Sequence, residues 1–315
     1  MIIFYCISFI ILGCILARCA DWVVKAVSYF SHTLHIKSFL FGFVLLGFVT
    51  TIPEMFVAHQ SVTDNIPQIS VGNLLGGSIL LLSFVMGTSA IILKRITLAH
   101  RMSLFDIATA SVVIAAPTFV LWDGVLTKFD GVFLIALYVF HILFINREQR
   151  VVENIEEHAR HIKHAGHALL LFGLGFIGLL FSTRSIVAIG EGAADFFSIH
   201  PFVIGLFLIT FGTNLPELTV AIEAITKKKQ DIAFGGILGS AVVNTPILGI
   251  IALFSPFSLL NFSGMRMTLV LLCVVVVYFF WAAARKKDIT RREGTILFLL
   301  YLLFLLFELV GLKVL

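Results

Sequence analysis

Apolar residues fall in ten long stretches along the chain, near 2–20, 38–58, 68–93, 104–122, 129–146, 167–188, 201–226, 232–254, 267–284 and 293–312. Short polar or turn-rich segments separate them. A hydrocarbon core about 30 Å thick is crossed by roughly 20 helical residues, so the pattern predicts about ten transmembrane helices. The period-two alternation of a membrane β-barrel is missing, and helices are the other structure that satisfies backbone polar groups in lipid. The expected fold is an all-α integral membrane protein.

Two of these stretches are copies of each other. Val44 to Leu80 aligns on Phe207 to Val243 without a gap at an offset of 163 residues. Thr50-Thr51-Ile52-Pro53-Glu54 falls on Thr213-Asn214-Leu215-Pro216-Glu217, a shared Thr-x-x-Pro-Glu, and Gly72-Asn73-Leu74-Leu75-Gly76-Gly77 falls on Gly235-Gly236-Ile237-Leu238-Gly239-Ser240. Each copy thus places a glutamate in an apolar helix. A charged group at the centre of an inserting helix costs roughly 2.5–3.5 kcal/mol and is kept chiefly where it faces a polar pathway. The duplicated pair therefore points to one ion site built from both copies.

Composition and charge agree with this reading. Hydrophobic residues make up 59% and charged residues 13% of the chain, with a mean hydropathy of +1.07, which excludes an ordinary soluble globule. Of the 22 Lys and Arg residues, 18 lie in the connections after the first, third, fifth, seventh and ninth helices or, for Arg18, at the edge of one. By the positive-inside rule those connections are cytoplasmic and both termini are non-cytoplasmic. The helices carrying Glu54 and Glu217 then run in opposite directions, so the halves have inverted topology: a first five-helix repeat over 1–146, a charged cytosolic linker over 147–166 and a second repeat over 167–315. Transporters built this way commonly bind substrate where the repeats meet. The basic residues report topology; no basic, aromatic-interleaved patch suggests nucleic acid.

Several other features carry less. Ile2 to Ala17 is apolar, but no basic residue precedes it, as a signal peptide requires, and Arg18 stands where a lipoprotein cleavage site needs a small residue. Cys6, Cys14, Cys19 and Cys273 lack CxxC spacing and read as buried thiols. His158, His161, His164 and His167 recur every third residue in the linker, a spacing that drifts around a helix and favours a solvated segment. Asp106, Asp130, His141, Glu191, Asp195, Glu223 and Glu308 read as interfacial or bundle-facing polarity, Glu223 being the best exception.

The residue types near the glutamates select hard cations. Pro53 and Pro216 have no N–H for the carbonyls of Val49 and Gly212, releasing backbone oxygens beside the carboxylates. Thr50 and Glu54, Thr213 and Glu217, and Ser240 and Asn244 stand four apart, hence on one helical face each. All candidate donors are oxygen, the preference of Ca²⁺ rather than of Zn²⁺ or Cu²⁺. No Walker motif or nucleophile–base constellation appears, so neither direct ATP use nor enzymatic activity is expected.

At these residues the chain resembles the cation/calcium antiporter superfamily, the sodium/calcium exchangers and their relatives, whose two inverted repeats read G-T-S-x-P-E followed by G-N-x-x-G-S-N. The resemblance implies a metal site of Glu54, Glu217, Thr50, Thr51, Thr213, Asn214, Ser240 and Asn244. It implies alternating-access exchange of Ca²⁺ for Na⁺ or H⁺, with inorganic cations and the bilayer as partners, no cofactor, and an inner (plasma) membrane location. Gly77 and Leu81 depart from the Ser and Asn of the family's first repeat, and Asn244 from an acidic residue of the second; Ser78 is the candidate replacement donor. A Ca²⁺/H⁺ antiporter, or an uncoupled channel or non-transporting protein on the same scaffold, stays open at this point.

Overall fold

The computed structural model describes residues 2–33, 51–97, 103–144, 165–197, 200–214, 217–218, 230–258, 264–286 and 288–311. They form an almost wholly helical protein. In chain order the elements are α1 (Ile2–Thr33), α2 (Ile52–Thr63), α3 (Pro67–Leu93), β1 (Arg95–Thr97), α4 (Leu104–Val120), β2 (Val125–Leu126), α5 (Lys128–Phe144) and α6 (Ala165–Phe197). Then come α7 (201–213), α8 (Gln230–Phe254), β3 (Phe257–Ser258), α9 (Gly264–Lys286), β4 (Asp288–Thr290) and α10 (Arg291–Gly311). Among the described residues four segments are long and apolar enough to cross a membrane by length and composition: Pro67–Leu93, Ala165–Gly190, Phe234–Phe254 and Met265–Arg285.

The helices bury their faces in two separate cores. The larger joins α3, α4, α5, α8, α9 and α10 through residues such as Leu81, Ile107, Leu134, Leu248, Phe279 and Phe304. The smaller lies between α1 and α6, through Leu16, Cys19, Val23, Leu179 and Ile186, and reaches Val57 of α2, Ile69 of α3 and Ile204 and Ile209 of α7. The span in α6 is 22% buried and that in α8 83%. α8 is therefore central, whereas α6 turns Leu170, Ile177 and Phe181 outward, as a lipid-facing helix does.

Helices α1 and α6 run past the apolar stretches expected at 2–20 and 167–188. Hydropathy falls after residue 20 because Asp21 and Lys25 appear, but these two pair at 2.7 Å across one helical turn while Val23 and Ala26 stay buried. A polar face does not end a helix whose other face still packs. The interval 147–164 of the expected linker lies outside the described residues; Ala165 already belongs to α6.

One crossing sets the frame for the centre. α3 and α7 meet at glycines: a Cβ at Gly72 would lie 2.0 Å from the Phe202 carbonyl oxygen, and one at Gly205 2.0 Å from that of Ile69. Only hydrogen side chains allow this backbone contact. Both helices carry π-helical turns here, Leu80–Val85 and Gly205–Ile209, a distortion that recurs at functional sites. Two ribbons tie the loops together. β1 pairs antiparallel with β4 (Ile96 opposite Ile289), and β2 with β3 (Leu126 opposite Phe257). Arg95 Nε reaches Asp288 Oδ2 at 3.2 Å across the first ribbon.

The crossing makes a stability prediction. Gly205→Ala is expected to cost about 1–3 kcal/mol or more, the usual penalty of overpacking, whereas Gly173→Ala, whose Cβ meets nothing within 4 Å, leaves stability unchanged. Thermal unfolding and the monodisperse fraction in detergent check the contrast; equal behaviour of the two variants refutes the close crossing.

Candidate functional site

The same backbone break precedes each glutamate. Thr51 caps α2 at φ −92°, ψ 11°, with Pro53 and Glu54 in the first turn. Asn214 ends α7 at φ −88°, ψ 10°, with helical backbone at Glu217 and Leu218. Beyond each break a new helical bond starts, Met55 N to Thr51 O at 3.1 Å and Leu218 N to Asn214 O at 3.0 Å. Proline suits such a start because its missing N–H is one that a first turn leaves unpaired. In the first turn of α2, Glu54 sits where the helix dipole favours a negative charge.

This break corrects the expectation that Thr213 and Glu217 share one helical face, since helix α7 stops at Thr213. The hydroxyl of Thr213 instead lies close to the Glu54 carboxylate, which belongs to the other copy, without an ordinary hydrogen bond between them. Ser240 lies beside Glu217, short of an ordinary hydrogen bond to either carboxylate oxygen. Glu54 is near enough to Glu217 for the two charges to act on each other. Both are buried, at 1% and 5% exposure, and among the described residues Glu54 Oε2, Glu217 Oε1 and Glu217 Oε2 have no hydrogen-bond partner.

Two asparagines complete the oxygen set, each held by its amide nitrogen. Asn214 Nδ2 donates to Thr210 O at 3.0 Å and to Thr213 Oγ1 at 3.2 Å. Asn244 Nδ2 donates across to α3, to Leu74 O at 3.3 Å and Ser78 Oγ at 3.2 Å. With its nitrogen so engaged, the Asn244 carbonyl oxygen is buried and unpartnered. Ser78 donates its own proton to Leu74 O at 3.1 Å, so it orients Asn244. Gly77 makes room for both amides: a Cβ there would lie 3.1 Å from Asn244 Nδ2 and 3.3 Å from Asn214 Nδ2.

Of the residues expected from sequence, Glu54, Thr51, Thr213, Asn214, Glu217, Ser240, Asn244 and Ser78 are all buried. Hydrogen bonds join Thr213 and Asn214 in one group, with Glu54 close by, and Ser78 and Asn244 in another, with Gly77 between the two asparagines. Thr50, Val49, Pro216 and Glu223 lie outside the described residues, as do His158, His161 and His164. Leu81, aligned with Asn244, is buried in the large core at 1% exposure and offers no donor. Asp106 forms a capping box with Ser103, Asp130 receives the Thr127 hydroxyl and N–H at 2.7 and 2.8 Å, and Thr268 bonds Glu308, so these three acids have structural partners.

Sequence reasoning overlooked Asn73 and Thr210. Asn73 Oδ1 accepts from Thr213 Oγ1 at 3.1 Å, and its backbone oxygen accepts from Thr210 Oγ1 at 3.1 Å. The signal was available: Asn73 is an amide inside the glycine-rich element of the first copy, where the second copy has Gly236.

Two carboxylates buried within the helices and close enough to act on each other define a class, helical membrane proteins with paired acidic groups inside the bundle. The chain belongs to the sodium/calcium exchanger protein family, whose model matches residues 4–146 and 167–310. It is 30% identical over 247 residues to the inner membrane protein YrbG of Escherichia coli K12, covering 75% of this chain and 76% of that protein. A shorter match, 33% over 109 residues, covers 34% of this chain and 31% of the sodium/calcium exchanger MaX1 of Methanosarcina acetivorans. The fold matches that of the sodium-calcium exchanger NCX_Mj soaked with Na⁺ and Sr²⁺, with a TM-score of 0.64 at 24% identity over 96% of this chain and 98% of the other.

Unpaired buried carboxylates are costly when charged. In chelator at alkaline pH, Glu54→Gln and Glu217→Gln are therefore each expected to raise the melting temperature, by about 2–4 °C per kcal/mol of relief. Differential scanning fluorimetry in detergent reads this, and a lower melting temperature for both variants refutes a strained carboxylate pair.

Proposed function

We propose that this chain is a secondary active antiporter exchanging Ca²⁺, or a related hard cation, for Na⁺ by alternating access. The carrying observation is the Glu54–Glu217 pair, buried with three oxygens that have no hydrogen-bond partner among the described residues. Hard cations take several oxygen ligands, and two ionised carboxylates balance one Ca²⁺, two Na⁺ or two H⁺. Family membership and the names of MaX1 and NCX_Mj support sodium–calcium exchange. Proton coupling is the second reading: Leu81 and Gly77 remove side-chain donors that a full set of sodium ions would use. The metal site in this reading comprises Glu54, Glu217, Thr50, Thr51, Thr213, Asn214, Ser240 and Asn244, with Ser78 orienting Asn244.

The architecture in this reading is two inverted five-helix repeats, 1–146 and 167–315, around a cytosolic linker at 147–166, in the inner membrane with both termini outside. Pairwise contacts support it. Shifting by 163 residues carries the β1–β4 register onto β3–β2 within two residues, Ile96 and Ile289 going to 259 and 126, where Phe257 and Leu126 pair. The same shift carries the contact of Gly87 with Gly294 to 250 and 131, next to the observed contact of Gly249 with Gly131. The ribbons flank opposite ends of α4 and of α9, as repeats related by an in-plane axis require. The two segments matched by the family model flank the same central interval.

Glu54→Gln and Glu217→Gln are each expected to abolish gradient-driven ⁴⁵Ca²⁺ uptake into proteoliposomes while leaving membrane insertion intact. A carboxamide keeps the size but loses the charge that offsets a dehydrated divalent ion. Wild-type rates at matched protein levels place the site elsewhere. Topology is tested separately: a tag near Asn65 should be accessible from outside the cell and one near Lys228 only from inside, and finding both on one side defeats the inverted arrangement.

A further inference from the structure

Thr213 presents a hydroxyl whose hydrogen bonds can be accounted for in full. A threonine hydroxyl has one proton and two lone pairs. Its oxygen accepts from Asn214 Nδ2 at 3.2 Å, which uses one lone pair. Its proton has two acceptors within hydrogen-bonding distance, Asn73 Oδ1 at 3.1 Å and Thr210 O at 3.4 Å, and the Glu54 carboxylate lies close by. The destination of that proton decides what the hydroxyl can do. Directed at Glu54, it neutralises part of the carboxylate's demand and points hydrogen at the space where a cation must sit. Directed at Asn73, it leaves the second lone pair facing Glu54, and two oxygens that face each other without a proton are held together by a cation between them.

We propose that Asn73 is a positioning residue for the cation site, accepting the Thr213 proton so that the Thr213 oxygen is free to bind the ion; this rests on the reading of the Glu54–Glu217 site as a cation site. Three observations support it. Asn73 is completely buried, and its backbone carbonyl is pinned by Thr210 Oγ1 at 3.1 Å, which fixes where the side chain starts. Thr210 is itself held against Gly205 O at 2.9 Å, at the glycine crossing where α3 and α7 touch. Finally, the amide nitrogen of Asn73 has no partner, so among the described residues the side chain is engaged through its oxygen, as an acceptor for Thr213. A residue kept only for packing would not leave a buried amide nitrogen unpaired, at a cost of about 1–3 kcal/mol.

The device is one-sided. In the second copy Gly236 occupies the place of Asn73, and nothing lies within 4 Å of where its Cβ would be. The counterpart of Thr213 in the first copy, Thr50, therefore has no such amide at the aligned position. Position 213 has a fixed ligand orientation that its repeat partner is not given by sequence.

The test is a mutant cycle on the full-length protein in detergent, reading apparent Ca²⁺ affinity by ⁴⁵Ca²⁺ binding and by Ca²⁺-dependent thermal stabilisation. Asn73→Leu removes the acceptor and Thr213→Val removes the ligand. Each is expected to weaken Ca²⁺ binding about tenfold, the low end of what loss of a ligand-orienting partner costs. The double variant should bind no more weakly than either single one, because without the hydroxyl there is no proton to place. Asn73→Asp keeps the acceptor oxygen and should bind at least as tightly as wild type. If Asn73→Leu does not fold, Asn73→Ala serves in the same cycle. Multiplicative losses in the double variant, unchanged affinity in Asn73→Leu, or an equal loss in Asn73→Asp each overturn the proposal while leaving the cation site standing. Absence of Ca²⁺ binding or stabilisation in the wild-type protein overturns the cation site itself, and this inference with it.

Discussion

Two carboxylates buried within reach of each other are the constraint to which the centre of this protein answers. Among the described residues Glu54 and Glu217 carry three buried oxygens without hydrogen bonds, a cost that acids inside a membrane protein bear chiefly at functional sites. The surroundings are arranged to hold that position without neutralising it. Both chains break just before the glutamate, at Thr51 and Asn214, with nearly equal backbone angles. Neighbouring amides turn their nitrogens toward main-chain and hydroxyl acceptors.

The glycine crossing makes this arrangement reachable. With a Cβ at Gly72 or Gly205, α3 and α7 would separate, and the bonds from Thr210 and Thr213 to Asn73 would be lost together. Gly77 plays a different part, since the space it leaves is taken by the amides of Asn214 and Asn244. The asymmetry between copies follows. Thr51 and Ser240 bring two hydroxyls where Asn214 and Gly77 bring one larger amide, and Asn244 brings an amide where Leu81 brings none. The set totals two formal negative charges, a limit on how many positive charges the site can balance.

Much of this was legible in the sequence, because the determining signals are local and duplicated. The apolar runs marked the helices, and Thr-x-x-Pro-Glu marked both breaks. Three things were not. The extension of α1 past residue 20 depends on Val23 and Ala26 packing beneath the Asp21–Lys25 pair, which composition along the chain does not reveal. The closeness of Thr213 to Glu54 joins residues far apart in sequence, which helical spacing within one segment does not reveal. Asn73 was visible as part of a motif, but its role rests on which atom accepts which proton, and that is decided by the crossing.

The division of the core bears on how such a site is opened to either side. Helices α1 and α6 bury their mutual face in a cluster of their own, with Cys19 set against Gly175 and Gly178. Among the described residues they meet the rest through aliphatic side chains such as Val57, Ile69, Ile204 and Ile209 and through aromatic contacts, Phe56 with Phe176 at 5.4 Å and Phe9 against Gly212. The other helices are joined by a single continuous core and by directional links such as Thr245 Oγ1 to Val113 O at 2.9 Å, with the Arg95–Asp288 ribbon fastening loops of both halves. The stiff part thus contains Asn73, Ser78, Ser240 and Asn244, whereas Glu54 and Glu217 sit on the segments that border the α1–α6 pair. The oxygen set is carried outside α1 and α6, an arrangement that suits the alternating-access reading proposed above.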